Sequence, residues 1–339
     1  MADSQLVVGV DGGNTKTVAL VCDLAGEPLG IGRGGSSNWE SMGVERAMAV
    51  VGEVIDKALA MAGRKRSDVA WVHMGLAGLD WPDDEPRMRE ALIKAGWKCG
   101  LSLENDAFLA LRASTQDGYG IGVTAGTGVA AGIIRPNGEK FFFGAFTDLG
   151  GGWSIDSDTL HAVIRQEDGR GGPTALAPAL LAGTGKATIT DLVYALHRGR
   201  WSPERGVVRR VLFQAAAQGD EAAVAIVKSF GTELALCATT LIKRYGLVNE
   251  EVDVVASGSL FMKTGPLLYG VFQEQLLESC PRTKPVLADR PPLMGAVRGA
   301  LEGARGFREE VWRRIIEKVP QTGWLRELST SGAEEENNG

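Results

Sequence analysis

Two glycine-rich segments carry the side chains with which this chain could bind phosphate. In the first, an apolar run and Asp11 lead into residues that combine glycine with amide, hydroxyl and ammonium groups: Gly12, Gly13, Asn14, Thr15, Lys16 and Thr17. About a third of the chain later, a similar segment ends in Gly126, Thr127 and Gly128. Glycine lets backbone N–H groups approach an anion closely. Two such segments predict two loops that bind one polyphosphate.

Asp11 is the candidate metal ligand. An acid directly after an apolar strand lies at the carboxyl end of that strand, where α/β sheets bind ligands. A carboxylate beside a phosphate loop usually holds Mg²⁺, directly or through water, because it would otherwise repel the phosphate. An ordinary hairpin turn would explain one such segment, and the second copy favours the phosphate interpretation.

Asp106 is the candidate proton acceptor. It lies between a short predicted strand and a predicted helix, directly after Asn105. Two interpretations stay open at this point. Asp106 could be a helix N-cap, a position that favours Asn and Asp. It could also be a general base for a substrate hydroxyl, since phosphoryl transfer needs little beyond positioning, charge neutralisation and one proton acceptor.

Two further segments could contact a polyol. Ser37, Asn38 and Trp39 combine hydrogen-bonding groups with an indole, which suits a sugar ring, although a solvated loop can have the same composition. Asp148 lies two residues before a run of three glycines and a predicted helix. That stretch is typical either of an anion-binding helix start or of a flexible connection.

The elements that must position these residues follow from hydrophobic periodicity and turn signals. In the first half, strands are predicted over residues 6–10, 17–22, 28–32, 69–74 and 101–103, and helices over 45–61, from 83 onward, and over 107–113. In the second half, a three-strand segment is predicted over 120–146 and a strand over 252–256, with helices over 157–164, 174–181, 188–197, 207–217, 221–245, 260–277, 293–301 and 308–316.

This order predicts an α/β protein of two related β-β-β-α-β-α domains with a cleft between them and a helical insertion in the second. The predicted domains are residues 1–116 and 117–328, followed by a disordered tail over 329–339. The pattern G-x-G-x-x-G over residues 30–35 is not followed directly by a helix, so a Rossmann fingerprint is rejected.

Composition narrows the function. The 339 residues, 44% apolar and 23% charged, fit a globular protein of two domains. A net charge of −6 with scattered Lys and Arg argues against nucleic acid or an anionic membrane as the main partner. Neither a signal-peptide pattern nor an apolar run of about 20 residues is found, so a cytoplasmic location is expected. The four cysteines and three histidines lack zinc, disulfide or redox spacing.

Together the motifs resemble the actin-like ATPase superfamily of sugar kinases, Hsp70 and actin, which has a ribonuclease H-like fold. Within it, residues 6–302 resemble the N-acetylglucosamine kinase branch of the BadF/BadG/BcrA/BcrD ATPases. The two glycine segments resemble the phosphate-1 and phosphate-2 loops, and Gly258 with Ser259 resembles part of the adenosine motif. Asn105 and Asp106 resemble the family's Asn-Asp-Ala segment, whose Asp is the catalytic base.

The resemblance implies an ATP- and Mg²⁺-dependent kinase that phosphorylates a hydroxyl, expected to be the 6-OH, of a hexose or amino sugar such as N-acetylglucosamine or glucosamine. It also implies sugar contacts by Ser37, Asn38, Asn105 and Asp148, and a homodimer. The chain departs from the family at Ala145, Phe146 and Leu149, which leaves the sugar open. Two alternatives remain: an ATPase that activates a dehydratase or reductase, and a non-catalytic sugar sensor.

Overall fold

The computed structural model describes residues 5–142, 150–203 and 206–324. Asp148 and the predicted tail over 329–339 lie outside these residues. The strands are β1 (Leu6–Gly12), β2 (Lys16–Asp23), β3 (Pro28–Gly35), β4 (Val69–Leu76), β5 (Gly100–Asn105), β6 (Gly120–Ala125), β7 (Val129–Ile134), β8 (Lys140–Phe142), β9 (Asp253–Ser257) and β10 (Lys284–Leu287).

The helices alternate with these strands. They are α1 (Trp39–Met42), α2 (Val44–Met61), α3 (Asp84–Lys94), α4 (Ala107–Ser114), α5 (Gly152–Glu167), α6 (Leu176–Thr184), α7 (Ile189–His197), α8 (Val207–Ala217), α9 (Glu221–Arg244), α10 (Ser259–Lys263), α11 (Pro266–Ser279), α12 (Pro292–Gly303) and α13 (Glu309–Gln321), with a 3-10 turn over Arg66–Asp68.

The two sheets have the same strand order, which confirms the predicted duplication. The first runs β3-β2-β1-β4-β5 and the second β8-β7-β6-β9-β10. In the first, β1 is antiparallel to β2 and parallel to β4, and β4 is parallel to β5. In the second, β7 and β8 are antiparallel and β9 and β10 are parallel. Five helices, α5 to α9, lie between β8 and β9 and form the predicted helical insertion.

The first sheet is buried on both faces, which explains its nearly continuous apolar strands. On one face, Val8 and Val10 pack in one cluster with residues of α2 such as Val54. On the other, Val7 packs in a cluster with residues of α12 and α13, among them Val297. Successive residues of a strand point to opposite faces, so one short run of β1 supplies both layers.

The glycines of β3 have a packing role rather than a nucleotide-binding one. A Cβ built on Gly30 would lie 2.3 Å from the carbonyl oxygen of Ala58, and one on Gly32 would lie 2.0 Å from that of Val54. Both carbonyls belong to α2. The glycines of the G-x-G-x-x-G pattern therefore let the backbone of α2 pack directly on β3. This packing role agrees with the rejection of a Rossmann fingerprint at this position.

Chain contacts divide the protein into two compact units. The first comprises the described residues of 1–122, 132–145 and 288–339, and the second those of 123–131 and 146–287. Residues 292–321, which the sequence places in the second predicted domain, pack with the first unit. The reason is that α12 and α13 cover an apolar face of the first sheet.

Helix α9 is long and apolar enough to cross a membrane by length and composition alone. Half of its most apolar stretch is buried within the fold, through side chains such as Val227, Leu234 and Leu241. A core helix of a globular unit has these same properties.

Candidate active site

The first glycine segment forms the hairpin turn between β1 and β2. Gly12 pairs with Thr17, and the N–H of Gly13 donates to the carbonyl of Lys16 at 2.9 Å. The side chains at the tip are exposed: Asn14, Thr15 and Lys16. Thr17 is fully buried and its hydroxyl donates to the carbonyl of Gly35 at 2.8 Å, which gives it a structural role in the sheet. The exposed tip is thus the part available to an anion.

Asp11 lies one residue before this turn, in the central strand of the first sheet. It pairs with Val18 of β2 on one side and with Gly75 of β4 on the other. Burial raises the pKa of its carboxyl to about 6, and the nearby Lys16 ammonium opposes that rise. Burial thus disfavours the ionised form of this carboxyl group, and a bound cation would stabilise that form.

Asp106 stands at the N-cap position of α4, yet its side chain forms no capping hydrogen bond to the described residues. The neighbouring Asn105 takes over that task, because its Oδ1 accepts the N–H of Ala107 at 2.9 Å. Burial and the carboxylates of Asp11 and Asp80 raise the pKa of Asp106 to about 7. The N–H groups of Ala107 and Asp106 oppose this rise, yet no capping hydrogen bond forms within the described part of the chain, so the carboxyl group remains available as a proton acceptor.

The predicted sugar-contacting segment, residues 37–39, lies beside the turn between β1 and β2. Asn38 caps α1 by accepting the N–H of Glu40, and its Nδ2 donates to Oδ1 of Asn14 at 2.5 Å. Ser37 is 1% exposed, and its hydroxyl lies in the space that a Cβ on Gly12 would occupy. Trp39 is half-buried and donates its indole N–H to the carbonyl of Gly78 at 2.5 Å. The segment thus connects the phosphate turn to the loop after β4.

The sequence did not single out Asp80, which the structure places beside the predicted base. Nδ2 of Asn105 donates to Oδ1 of Asp80 at 2.8 Å. A signal was present, since Asp80 lies just after β4, between the two strands that carry Asp11 and Asp106. The carboxyl ends of neighbouring parallel strands meet at one edge of a sheet.

A buried ionic network lies behind Asn105 and Asp106. The carboxylate of Glu104 is 1% exposed and contacts Nε2 of His73 at 3.0 Å, Nε of Arg112 at 2.6 Å and the ammonium of Lys140. Burial alone would raise the pKa of Glu104, but His73, Arg112 and Lys140 together hold it well below its usual range. Arg112 also pairs with Glu302 of α12 at 2.8 Å. The network fixes the end of β5 against α4, β8 and α12.

Removing the charge of Glu104 should destabilise the protein strongly. We expect Glu104→Gln to lower the free energy of unfolding by about 3–5 kcal/mol, because it leaves buried cations without their counter-ion. The measurement is urea unfolding at pH 7. The control is Glu139→Gln, where a half-exposed pair with Arg135 is broken and about 0.5 kcal/mol is expected. Equal effects of the two substitutions would contradict a structural role for the network.

The second glycine segment forms the turn between β6 and β7 of the second unit. The N–H of Gly126 donates to the carbonyl of Gly128 at 2.9 Å, and Thr127 and Gly128 are exposed. The N–H of Gly152, at the start of α5, donates to the carbonyl of Gly126 at 2.9 Å. A Cβ on Gly151 would lie within 2.7 Å of Gly128, so glycine is needed for this close approach. The glycines before α5 therefore pack a long helix against the turn.

The residues that resemble an adenosine motif lie beside the same turn. Gly258 has φ +95°, and a Cβ there would lie 2.3 Å from the carbonyl oxygen of Ala125. Ser259 is exposed, and its hydroxyl lies 3.7 Å from the Cβ position of Gly126. Thr124 and Ser257 join their strands through a hydroxyl pair at 2.7 Å. The second unit thus brings together the five residues predicted from two distant segments of the sequence: Gly126, Thr127, Gly128, Gly258 and Ser259.

Comparison with known families agrees with this geometry. The model of the BadF/BadG/BcrA/BcrD ATPase family matches residues 8–304. The chain belongs to this family. Its match spans both glycine turns, Asp106 and the segment around Gly258. The fold of this family member is a duplicated α/β fold, with two five-stranded sheets of the same strand order.

Two relatives of this chain are named as sugar kinases. An N-acetyl-D-glucosamine kinase of Dictyostelium discoideum is 26% identical over 89% of this chain and 99% of its own length. An N-acetylmuramic acid/N-acetylglucosamine kinase of Clostridium acetobutylicum is 26% identical over 86% of this chain and 96% of its own. A solved structure from Chromobacterium violaceum, provisionally assigned as an N-acetylglucosamine kinase, has a TM-score of 0.65 at 22% identity and covers 86% of this chain and 97% of its own.

The pKa of Asp106 gives this family member an expected pH dependence. A base must be ionised to accept a proton, so kcat/KM for the acceptor should rise with pH through about 7 and level off above it. The measurement is the rate of ADP release at subsaturating acceptor between pH 5.5 and 9. A profile that is flat between pH 6 and 8 would contradict the assignment of the rate-controlling group to Asp106.

Proposed function

We propose that this chain is an ATP-dependent sugar kinase. It transfers the γ-phosphate of ATP to a hydroxyl, the 6-OH in our proposal, of a hexose or an amino sugar such as N-acetylglucosamine or glucosamine. The observation that carries this proposal is the half-buried carboxyl group of Asp106, which caps no helix and has a pKa near 7. An ATPase could use such a base to activate water, so it is the predicted sugar segment in the same unit that favours a sugar hydroxyl as the acceptor.

The proposed reaction needs a single proton acceptor. The Asp106 carboxylate accepts the proton of the sugar hydroxyl as that oxygen forms its bond to the γ-phosphorus. The bond between the γ-phosphorus and the β–γ bridging oxygen breaks, and ADP leaves with that oxygen. The exposed tips of the two glycine turns are proposed to bind ATP phosphates through backbone N–H groups and the side chains of Asn14, Thr15, Lys16 and Thr127.

Asp11 is the proposed ligand for Mg²⁺, directly or through water. No group of three or more His, Cys, Asp or Glu side chains suited to a metal occurs in the described part of the chain. At a nucleotide site, one or two carboxylates together with the substrate phosphates suffice to hold Mg²⁺. When bound, the ion would neutralise phosphate charge. The residues that fit this role are Asp11 and, for the phosphates, the neighbouring turn.

The two alternatives have less support. An ATPase that bridges an iron–sulfur cluster through cysteines needs thiols at its surface, yet Cys22, Cys237 and Cys280 are buried and Cys99 is half-buried. A pure sugar sensor would have no use for an uncapped carboxyl group at position 106. We also propose a homodimer, on the resemblance alone, and light scattering tests it directly.

A substrate screen tests the proposed function. Coupled ADP release should be measured with glucose, glucosamine, N-acetylglucosamine, N-acetylmannosamine and N-acetylmuramic acid, each at several concentrations. We expect ADP release to depend on at least one of these sugars and to saturate with it. Sugar-independent ADP release at a constant rate would favour the ATPase alternative and would contradict the proposal.

A further inference from the structure

Residues 77–80, in the loop between β4 and α3, contact three of the predicted functional elements of the first unit. The N–H of Ala77 donates to the carbonyl of Gly12, at the phosphate turn, at 2.8 Å. The carbonyl of Gly78 accepts the indole N–H of Trp39, next to Asn38, at 2.5 Å. The side chain of Asp80 accepts from Asn105, next to Asp106. One short loop therefore fixes the phosphate turn, the sugar segment and the turn of the base relative to one another.

The contact made by Asp80 leads most directly to the base. Asn105 is buried, and its amide joins two groups: Nδ2 donates to Oδ1 of Asp80 at 2.8 Å, and Oδ1 accepts the N–H of Ala107 at 2.9 Å. In the chain, Asp106 lies between Asn105 and Ala107, the two residues that the second of these hydrogen bonds joins. A shift of Asn105 would therefore rotate the backbone from which the Asp106 carboxyl group projects.

The backbone of Asp80 is fixed by a hydrogen bond, while its surroundings disfavour the ionised form of its side chain. The buried carboxylate of Asp84 accepts the N–H groups of Asp80 at 3.0 Å and of Trp81 at 2.7 Å. Burial, followed by the charges of Glu40 and Asp84, raises the pKa of Asp80. Stability alone would favour an uncharged acceptor at this position. An ionised acceptor does make a stronger hydrogen bond to the Asn105 amide.

We propose that Asp80 is a positioning residue for phosphoryl transfer, which acts through its hydrogen bond to Asn105 to orient Asp106. It touches neither reacting group in this account. The inference rests on the proposed role of Asp106 as the base. A displacement of about 1 Å at a reacting group costs up to about 100-fold in rate, so the effect should be measurable.

The test compares four variants with the wild-type protein on the best sugar of the screen. Asp80→Ala removes the acceptor and should lower kcat about 10- to 100-fold while KM for ATP changes less than about twofold. Asp80→Asn retains an acceptor oxygen and should recover most of that loss. The rates are compared at pH 9, where Asp106 is ionised in every variant, because the charge of Asp80 also raises the pKa of Asp106. Asn105→Ala and the double variant Asp80→Ala/Asn105→Ala should be equally impaired, because the two residues act in series. The control is Asp83→Ala, which removes an exposed ion pair with Arg87 in the same segment.

Three results would overturn the inference: an Asp80→Ala kcat within twofold of wild type, an Asp80→Asn variant as impaired as Asp80→Ala, or additive losses in the double variant. A loss of melting temperature with unchanged kcat would likewise show a merely structural role.

Failure of the base assignment is recognised separately. If Asp106→Asn retains wild-type kcat, the proposed base is wrong, whereas an inactive Asp106→Asn beside a fully active Asp80→Ala rejects the positioning role alone.

Discussion

Asp106→Asn is expected to lower kcat by about 10²- to 10⁴-fold, because the amide keeps the shape of the side chain but cannot accept the hydroxyl proton. ATP should bind to this variant as well as to the wild-type protein, since the phosphate turns are unchanged. The measurements are steady-state ADP release with the sugar and calorimetric titration with a non-hydrolysable ATP analogue. Near wild-type, sugar-dependent ADP release by Asp106→Asn would show that another group accepts the proton.

The same substitution should not weaken the fold at neutral pH. Because the folded-state pKa of Asp106 is raised, ionising this carboxyl costs stability as pH rises from about 4 to about 7, and the full cost remains above pH 7. Asparagine removes the charge and its repulsion from Asp11 and Asp80. The melting temperature of Asp106→Asn at pH 8 should therefore equal or exceed that of the wild type. A clear fall would mean that lost activity reports misfolding rather than lost chemistry.

Asp11→Asn should weaken the use of Mg²⁺ rather than remove the base. We expect kcat at fixed Mg²⁺ to fall about 100-fold or more, since charge neutralisation at a phosphoryl group contributes several kcal/mol. Burial raises the pKa of Asp11 to about 6 and the Lys16 ammonium opposes that rise, so a bound cation would favour the ionised carboxylate further. The measurements are kcat and the affinity for ATP, each titrated at increasing Mg²⁺ concentrations.

The matched controls for this prediction are two other aspartates. Asp117→Asn makes the same chemical change at an exposed position of the first unit and should leave both kcat and the Mg²⁺ response unchanged. Asp106→Asn should lose kcat but retain the Mg²⁺ dependence of ATP binding. An Asp11→Asn variant with an unaltered Mg²⁺ response would remove Asp11 from the metal site.

The sequence predicts the duplicated architecture well, because the pattern that carries it is local. Glycine beside Thr or Asn after an apolar run occurs twice, and each copy forms the turn of a hairpin at the same position in its sheet. The β-β-β order and the helical insertion follow from periodicity and turn residues within short windows. Asp11 and Asp106 could be selected for the same reason, since each ends a predicted strand.

Features that depend on contacts between distant residues could not be predicted. Lys140 reaches Glu104 and Glu302 reaches Arg112 only after folding, and neither pair leaves a spacing signal in the sequence. The motif likewise does not show that the buried hydroxyl of Thr17 donates to the carbonyl of Gly35. The predicted helix over 260–277 is wrong in one respect: it is broken at Gly265, which has φ +85° and precedes a proline that begins α11. Strand β10 was missed because it is short, half-exposed and contains Pro285.

We propose that this protein consumes ATP by transferring its γ-phosphate to a sugar. The most direct measurement follows the γ-phosphate, with ATP labelled at that position and N-acetylglucosamine, or the best sugar of the screen, as acceptor. We expect labelled sugar phosphate to form in a one-to-one ratio with ADP, and Asp106→Asn to slow the formation of both by about 10²- to 10⁴-fold. Label recovered as free inorganic phosphate, with ADP formed equally well in the absence of sugar, would contradict the proposal.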